Sequence, residues 1–497
     1  MLSDFVPNGT PTKATKSGYV VFDLVIIESL SQNCLFFYTL KKSIALPKKK
    51  CYTHSKRIYK KKGRIIIVYE KILKLVDDIT PEMVRQRRDF HKYPEVGWTE
   101  MRTSSIIART LADLGYEVLI GKDVCDAESR ANLPSEDVLK EAYERAVSQG
   151  ADPEFVESTK EGFTGVVGIL HCGEGPTVAL RFDIDALPII ESEDDNHFPQ
   201  KEGFASVNKG QMHACGHDCH AASGLGVAKV IMQIKDLLKG TVKLVFQPAE
   251  ESGQGGKAIA ESGILDDVNF LLGAHNSDFG GKHDILPGIT GSMASRKCEA
   301  VFKGSSAHAA ISPHLGNNAL LAAATAVQNL HAIPRHGAGA TRINVGKLIA
   351  GTAGNVIADH AYMLMDIRGE TSELNEYMDA KAKIVVEAAA QMHGCTVEYK
   401  STAYIPSVVC SIPLAERVAE ICKEHLNYRV CSLVYNTGSE DISYMVDRVK
   451  SLGGQATIMG FHSTFAAKNH SPEFDLNEDY LPRSVKGYIV ILCELMK

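Results

Sequence analysis

Three strand-like apolar segments of this chain each run into acidic or metal-binding side chains, and that recurrence narrows the possible folds more than any other feature. Segment 177–182 leads into Asp183 and Asp185, segment 241–247 into Glu250 and Glu251, and segment 269–274 into His275. A further strand is expected at 166–171, and a helix over 221–238 separates two of these segments. Strands alternating with helices favour an α/β fold with a parallel or mixed sheet and helices on both faces. In an open sheet of that kind, ligands collect beyond the carboxyl ends of the strands.

The pattern changes near Cys298. Strands are expected at 299–302, 344–349, 362–368 and 396–401, with helices over 318–330 and 373–392. This β-α-β-β-α-β order describes a compact α+β unit. The earlier pattern then returns, with a helix over 414–425, strands at 431–435 and 456–459, and a helix beginning near Asp479. A chain of 497 residues is too long for a single growing core. The expected organisation is therefore a discontinuous catalytic domain (79–295 and 404–497) with a mixed sheet, interrupted by an inserted α+β domain (296–403).

Upstream of it, 1–78 is expected to be a basic extension. Its apolar stretch 20–30 is short and is broken by Asp23 and Glu28, which argues against a spanning helix. The run 41–64 holds eleven Lys or Arg and no acid, and reads as a solvated extension in preference to a nucleic-acid or anionic-surface binder. With a formal net charge of -6, neither a nucleic-acid nor a membrane partner is expected. Twelve irregularly spaced cysteines suit a reducing, cytoplasmic setting better than a disulfide framework. Thr80 is expected to cap a helix that starts at Pro81, and Thr99 to Leu114 carries a helical stripe ending at Gly115. The polar insertion 126–162 places Leu139, Tyr143 and Val147 at helical spacing, either to line the rim of a site or to cover the core.

The densest chemistry is MHACGHDCHAA at 212–222. Cys215, His217, Glu251, His275 and His470 make a ligand set for two divalent ions, Mn or Zn, since thiolate and imidazole suit Zn and carboxylates broaden the site. Gly216 allows the tight backbone that lets Cys215 and His217 point the same way. Asp218 can cap amides or orient a ligating imidazole. Glu250, beside the ligand Glu251, is left as the general base. Together these residues imply hydrolytic metal chemistry.

Between Arg87 and Asp475 the motifs RRDFHKYPEVGWTEMRT, RFDIDALP, MHACGHDCHAA, FQPAEE, GAHN, GSSAHAA, AGNVIAD, GSED and NHSPEFD occur in the order found in the M20 metallopeptidases. The chain resembles their amidohydrolase branch, which includes the aminobenzoyl-glutamate hydrolases. That resemblance implies a metal-dependent amidohydrolase cleaving p-aminobenzoyl-glutamate or a related N-acyl amino acid. A dipeptidase for unusual small dipeptides and a non-catalytic metal-binding homologue are the alternatives. It also implies that the inserted domain 296–403 is a dimerisation or lid domain, whose His308 stabilises the oxyanion, often across a dimer interface, in a homodimer or in a heterodimer with a paralogue. Asn355 and Arg368 are then expected to hold a carboxylate-bearing amide substrate, Arg368 through its planar fork, while Ser439 and Glu440 shape a loop near the metals.

Overall fold

The larger sheet is built from β1 (Glu117–Ile120), β2 (Val166–His171), β3 (Thr177–Asp183), β4 (Thr241–Gln247), β5 (Phe270–Ser277), β6 (Ile285–Leu286) and β14 (Gln455–His462). Their spatial order is β1-β2-β4-β3-β5-β14-β6. The sheet is mixed: β3 runs parallel to β4 and β5, and β5 to β14, while β1–β2, β2–β4 and β14–β6 are antiparallel. This is a computed structural model that describes residues 51–251, 255–432, 434–435 and 440–497, without the side chains of 51–68 and 434–435. Segment 20–30, the start of the basic run at 41–64 and Ser439 fall outside the described residues. Residues 1–60 and 61–497 are separate units, and the sheets belong to the second.

Strand alternation assigns the side chains of the central strands to two cores. Val178, Leu180 and Phe182 of β3, with Val242, Leu244 and Phe246 of β4, join the core built on helices His217–Ile234 and Tyr480–Leu495. Ala179 and Val245 face the opposite core, with helices Gly255–Glu261 and Ile442–Ser451. Because both faces are covered, β3 is buried along its whole length, and its polar residues Arg181 and Asp183 pair with each other there.

The second sheet holds β8 (Ala294–Lys303), β9 (Thr341–Ala350), β10 (His360–Gly369) and β11 (Thr396–Ile405), in the order β11-β8-β10-β9 with every pairing antiparallel. Helices Ala319–His331 and Ser372–Met392 cover one face, where Ala361, Met363, Met365 and Ile367 of β10 are buried. Asn318 and Thr371 cap these helices, so each begins next to the residue that terminates its preceding loop. The observed β-α-β-β-α-β order matches the pattern in the sequence. A small sheet ordered β12-β7-β13 joins β7 (Ile289–Ser292), β12 (Val408–Val409) and β13 (Val434–Tyr435). The chain leaves at β7 and returns at β12 beside it, which makes the catalytic part discontinuous around the four-stranded insertion.

Three local expectations are corrected. Thr80 does not cap a helix: helix Cys51–Lys92 runs through it, with Pro81 inside, and Thr80 Oγ1 donates back to Val76 O at 2.9 Å. An interior proline costs about 3 kcal/mol. Burial of Ile72, Val76, Met83 and Phe90 on one face offsets this, at roughly 1.5–3 kcal/mol for each side chain. In helix Glu136–Ser148, Ala142 and Ala146 are buried beside Leu139 and Tyr143, whereas Val147 rotates into solvent. Finally, the helix expected from 221 starts four residues earlier, at His217.

Candidate metal centre

The early start of helix His217–Ile234 makes the site possible. Gly216 sits at φ +88°, a left-handed conformation that turns the chain from Cys215 directly into the first helical turn. A Cβ at Gly216 would fall 2.5 Å from Asn276 Nδ2, so the turn admits no larger residue without a shift. Asn276 fastens this turn to β5 by donating from Nδ2 to Cys215 O at 2.7 Å. Cys215 Sγ consequently lies 3.4 Å from His275 Nε2, near the end of β5. His275 is oriented by its other nitrogen, which is 2.8 Å from Asn276 O.

Glu250 and Glu251 follow β4 through Pro248 and Ala249. Two consecutive side chains are expected to diverge, as on an extended strand. They do not, because Ala249 has φ +51° and the pair lies in a turn. Glu250, Glu251 and His217 each offer a ligand atom within 4.8 Å of the other two. Glu251 Oε1 lies 3.3 Å from His470 Nε2 and 4.0 Å from His217 Nε2. His470 is held over the site by its backbone amide, which donates to Ala214 O at 2.8 Å. Cys215, Glu251 and His470 form another ligand group, as do Cys215, His217 and His275.

Asp185 is the organiser between these parts. Its carbonyl and Oδ1 lie 3.0 and 3.2 Å from His217 Nδ1, and its Oδ2 accepts from Glu251 N at 2.9 Å. With Nδ1 engaged, His217 Nε2 faces the centre and is buried without a hydrogen-bond partner, while Glu251 Oε1 beside it meets His470 Nε2. Buried polar atoms are rarely left without a partner, and this inward-facing set of nitrogen, sulfur and oxygen donors fits divalent ions. It is a dinuclear divalent-metal site. Asp183, His217 and His220 form one further group of suitable geometry. Both nitrogens of His220 are already occupied, Nδ1 by Asp183 and Nε2 by the Asn276 amide at 3.2 Å, so His220 is a structural residue.

The donors also shift one another's titration. Burial disfavours the Cys215 thiolate, but His275, His217 and His470 outweigh it and bring the thiol down to about 6. Hydrogen bonds to Cys215 and Glu251 raise His470 to about 10. Glu250 moves the opposite way from an ordinary carboxylate: burial, then Glu440 and Asp441, hold it well above the usual range.

His308, Asn355 and Arg368 lie in the inserted domain and are in none of the ligand groups found among the described residues. His308 and Asn355 are exposed and adjacent: Ala309 N donates to Asn355 O at 3.0 Å, and His308 bridges Val356. His308 Nδ1 accepts from the amides of Ala310 and Ile311, both at 3.2 Å, which leaves the ring proton on Nε2. Arg368 lies near the end of the central strand β10, on the face away from the helices, with Nε 2.9 Å from Asp366 Oδ2.

A buried charge network escaped the sequence reading. Asp218 receives Arg87 Nε and His91 Nδ1, both at 2.8 Å, while Arg87 Nη2 reaches Asp475 at 2.5 Å. Arg87 thus ties the loop carrying His470 to the head of the Cys215–His217 turn. The available signal was a pair of basic residues, Arg87 and His91, four apart in RRDFHKYPE on a helix whose apolar face is buried.

The chain matches the family model described as Peptidase family M20/M25/M40 over residues 179–493. It is 41% identical over 416 residues to an indole-3-acetyl-aspartic acid hydrolase of Enterobacter agglomerans, covering 83% of this chain and 95% of the relative. It is 39% identical over 422 residues to a component of the p-aminobenzoyl-glutamate hydrolase of Escherichia coli strain K12, covering 84% and 96%. Among solved structures it is similar to the Bacillus subtilis YXEP protein, a dinuclear metal-binding peptidase of the M20 family. That match has 25% identity and a TM-score of 0.65, covering 84% of this chain and 99% of the other.

Proposed function

The chain belongs to the M20/M25/M40 peptidase family, and from that premise we propose that it hydrolyses the amide bond joining an aromatic acyl group to an acidic amino acid, p-aminobenzoyl-glutamate being the leading substrate. The observation that carries this reading is the convergence of Cys215, His217, Glu251, His275 and His470 around the buried His217 Nε2, which has no hydrogen-bond partner, with Glu250 beside them. The two relatives named above supply the substrate class, since both act on an amino-acid conjugate with an acidic portion.

These five side chains would hold two divalent ions, which when bound supply an acidified water and polarise the scissile carbonyl. Glu250 takes the proton of the attacking water and passes it to the leaving amine nitrogen. His308, with its proton on Nε2, donates a hydrogen bond to the developing oxyanion. Asn355 and Arg368 bind the carbonyl and carboxylate of the substrate.

His308 is exposed and belongs to none of the ligand groups of its own chain, and in this reading it serves the site of a second copy or of a paralogue. The supporting feature is β9, an edge strand of the inserted sheet with Leu348 41% and Ile349 56% exposed. Exposed Leu320 and Leu321 on helix Ala319–His331 extend the apolar surface. Such an edge is suited to pairing with another chain. A cytoplasmic setting agrees with ten free cysteines among the described residues. No helix among the described residues is long and apolar enough to cross a membrane.

Chelation followed by reconstitution with Mn or Zn, assayed on p-aminobenzoyl-glutamate, indoleacetyl-aspartate, acyl-amino acids and dipeptides, tests the reading. Stripping the metal should lower hydrolysis by at least about a hundredfold, and either ion should restore it. Full activity in chelator without bound metal would overturn the mechanism, and preference for dipeptides would overturn the substrate class.

A further inference from the structure

Two carboxylates sit at the start of helix Met101–Leu114, and they do different things. Glu95 serves the helix, accepting from Arg102 N at 2.9 Å and Thr103 N at 2.8 Å. Glu100 occupies the N-cap position yet makes no capping bond with its side chain. It turns inward and is 0% exposed. Its Oε2 accepts from Thr164 Oγ1 and its Oε1 from Ala249 N, both at 2.7 Å. Neither partner is cationic. Burying an acidic group against neutral partners is costly, whereas an apolar side chain would carry no such penalty.

Ala249 is the residue on which the loop after β4 turns. Its φ of +51° is a left-handed conformation that a Cβ disfavours, by roughly 1–2 kcal/mol. The surrounding contacts hold it there. Ala249 O accepts from Gly255 N at 3.3 Å, and a Cβ on Gly255 would lie 1.7 Å from Pro248 O. One residue beyond Glu250, Asp185 takes the Glu251 amide. Glu250 is therefore bracketed by two anchored amides, one held by Glu100 from the N-terminal half of the chain and one by Asp185 just after β3.

We propose that Glu100 is a positioning residue for Glu250, acting through the Ala249 amide with no contact to substrate or metal. The inference rests on the reading of Glu250 as the general base. Displacing a base by an ångström costs turnover far more than binding, so Glu100 bears on kcat and leaves KM largely alone. Asp185 differs from it in touching His217 as well, so the two anchors separate experimentally.

Full-length Glu100→Leu and Glu100→Gln proteins reconstituted with Mn provide the test, read by hydrogen–deuterium exchange across Ala249–Glu251, metal content, kcat and KM. Glu100→Leu should exchange faster there and lose about thirtyfold or more in kcat, with KM and metal content within about threefold of the unmodified protein. Glu100→Gln, whose amide oxygen still accepts from Ala249, should exchange normally and stay within about fivefold in kcat. If Glu100→Leu does not fold, Thr164→Val removes the second tether and should lower kcat by about threefold to tenfold, with faster exchange. A folded, metal-loaded Glu100→Leu with near-normal kcat or unchanged exchange would overturn the proposal. Equal losses in the Gln and Leu variants would also overturn it, because charge would then matter and acceptance would not. Exchange is read without substrate, so failure to cleave any aryl conjugate would remove the substrate reading and leave the positioning result standing.

Discussion

The carboxyl edge of the seven-stranded sheet and the exposed parts of the four-stranded sheet both carry residues assigned to the reaction, but they are built in opposite ways. At the first, His217, His275, Glu251 and Cys215 are each held by a neighbour, and the partners are mostly buried. At the second, His308 and Asn355 stand on exposed loops, and Arg368 is paired in its own strand with Asp366. The comparison teaches how the two proposed sets of residues are built. Those proposed to bind metal or move a proton are held by buried neighbours, while those proposed to meet the substrate lie in or beside a separate sheet with an exposed edge strand.

The sharpest way to break this contrast is to remove the base without disturbing the ligands. Glu250→Gln should keep its metal and lose roughly 10²- to 10⁴-fold in kcat, whereas Glu251→Gln should also lose metal. Elemental analysis beside steady-state rates checks both. Near-normal turnover by Glu250→Gln would require another proton carrier.

A smaller effect is expected on the lid side. His308→Ala should lower kcat by about a hundredfold with metal content unchanged. If His308 acts across an interface, mixing inactive Glu250→Gln and His308→Ala proteins should restore about a quarter of normal activity, because half of the protomers are in mixed dimers with one complete site each. No recovery on mixing, despite protomer exchange detected by light scattering or mass spectrometry, would place His308 in its own chain's site.

Arg368 should matter less again. Arg368→Ala is expected to raise KM for a free-acid substrate by about tenfold relative to its amide, and Arg368→Lys to recover only part, since it keeps charge but loses the fork. Equal cleavage of acid and amide by the unmodified enzyme would return Arg368 to its ion pair with Asp366.

The smallest effect concerns the stability of the metal edge. Burial opposes protonation of His91, but hydrogen bonds to Asp218 and Glu191 overcome this and raise it to about 9. Its folded value exceeds the unfolded one, so its contribution is complete below about pH 6.5 and is lost as pH rises through about 9. Thermal unfolding from about pH 6.5 to about 9.5 should show a loss on the order of 1–3 kcal/mol, and His91→Gln should flatten that slope. An identical slope in the variant would assign the alkaline loss elsewhere.

Much of this molecule is legible in its sequence where local periodicity is decisive. The strands at 166–171 and 241–247 occur with the bounds their apolar runs define, and the inserted β-α-β-β-α-β unit follows from alternation between periods of about 2 and 3.6 residues. The side-chain types of Cys215, His217, Glu251, His275 and His470 marked them as ligand candidates, and the fold brings their ligand atoms into overlapping groups. Short-range exceptions were not legible. Pro81 suggested a helix start, whereas packing of the apolar face carries the helix through it. Extended geometry suggested that Glu250 and Glu251 diverge, whereas Ala249 turns left-handed and brings them together.

What the sequence by itself determined is the set of elements and the chemistry at their ends, because hydrophobic period and side-chain type are local properties. Only the tertiary structure decided which partners hold that chemistry in place: Asp185 on His217, Arg87 between Asp218 and Asp475, and Glu100 on an amide 149 residues away. These contacts join residues whose proximity exists only after the sheet has assembled. A buried polar group selects its partner from whatever the fold delivers, so the pairing is a property of the packed chain and has no period to read.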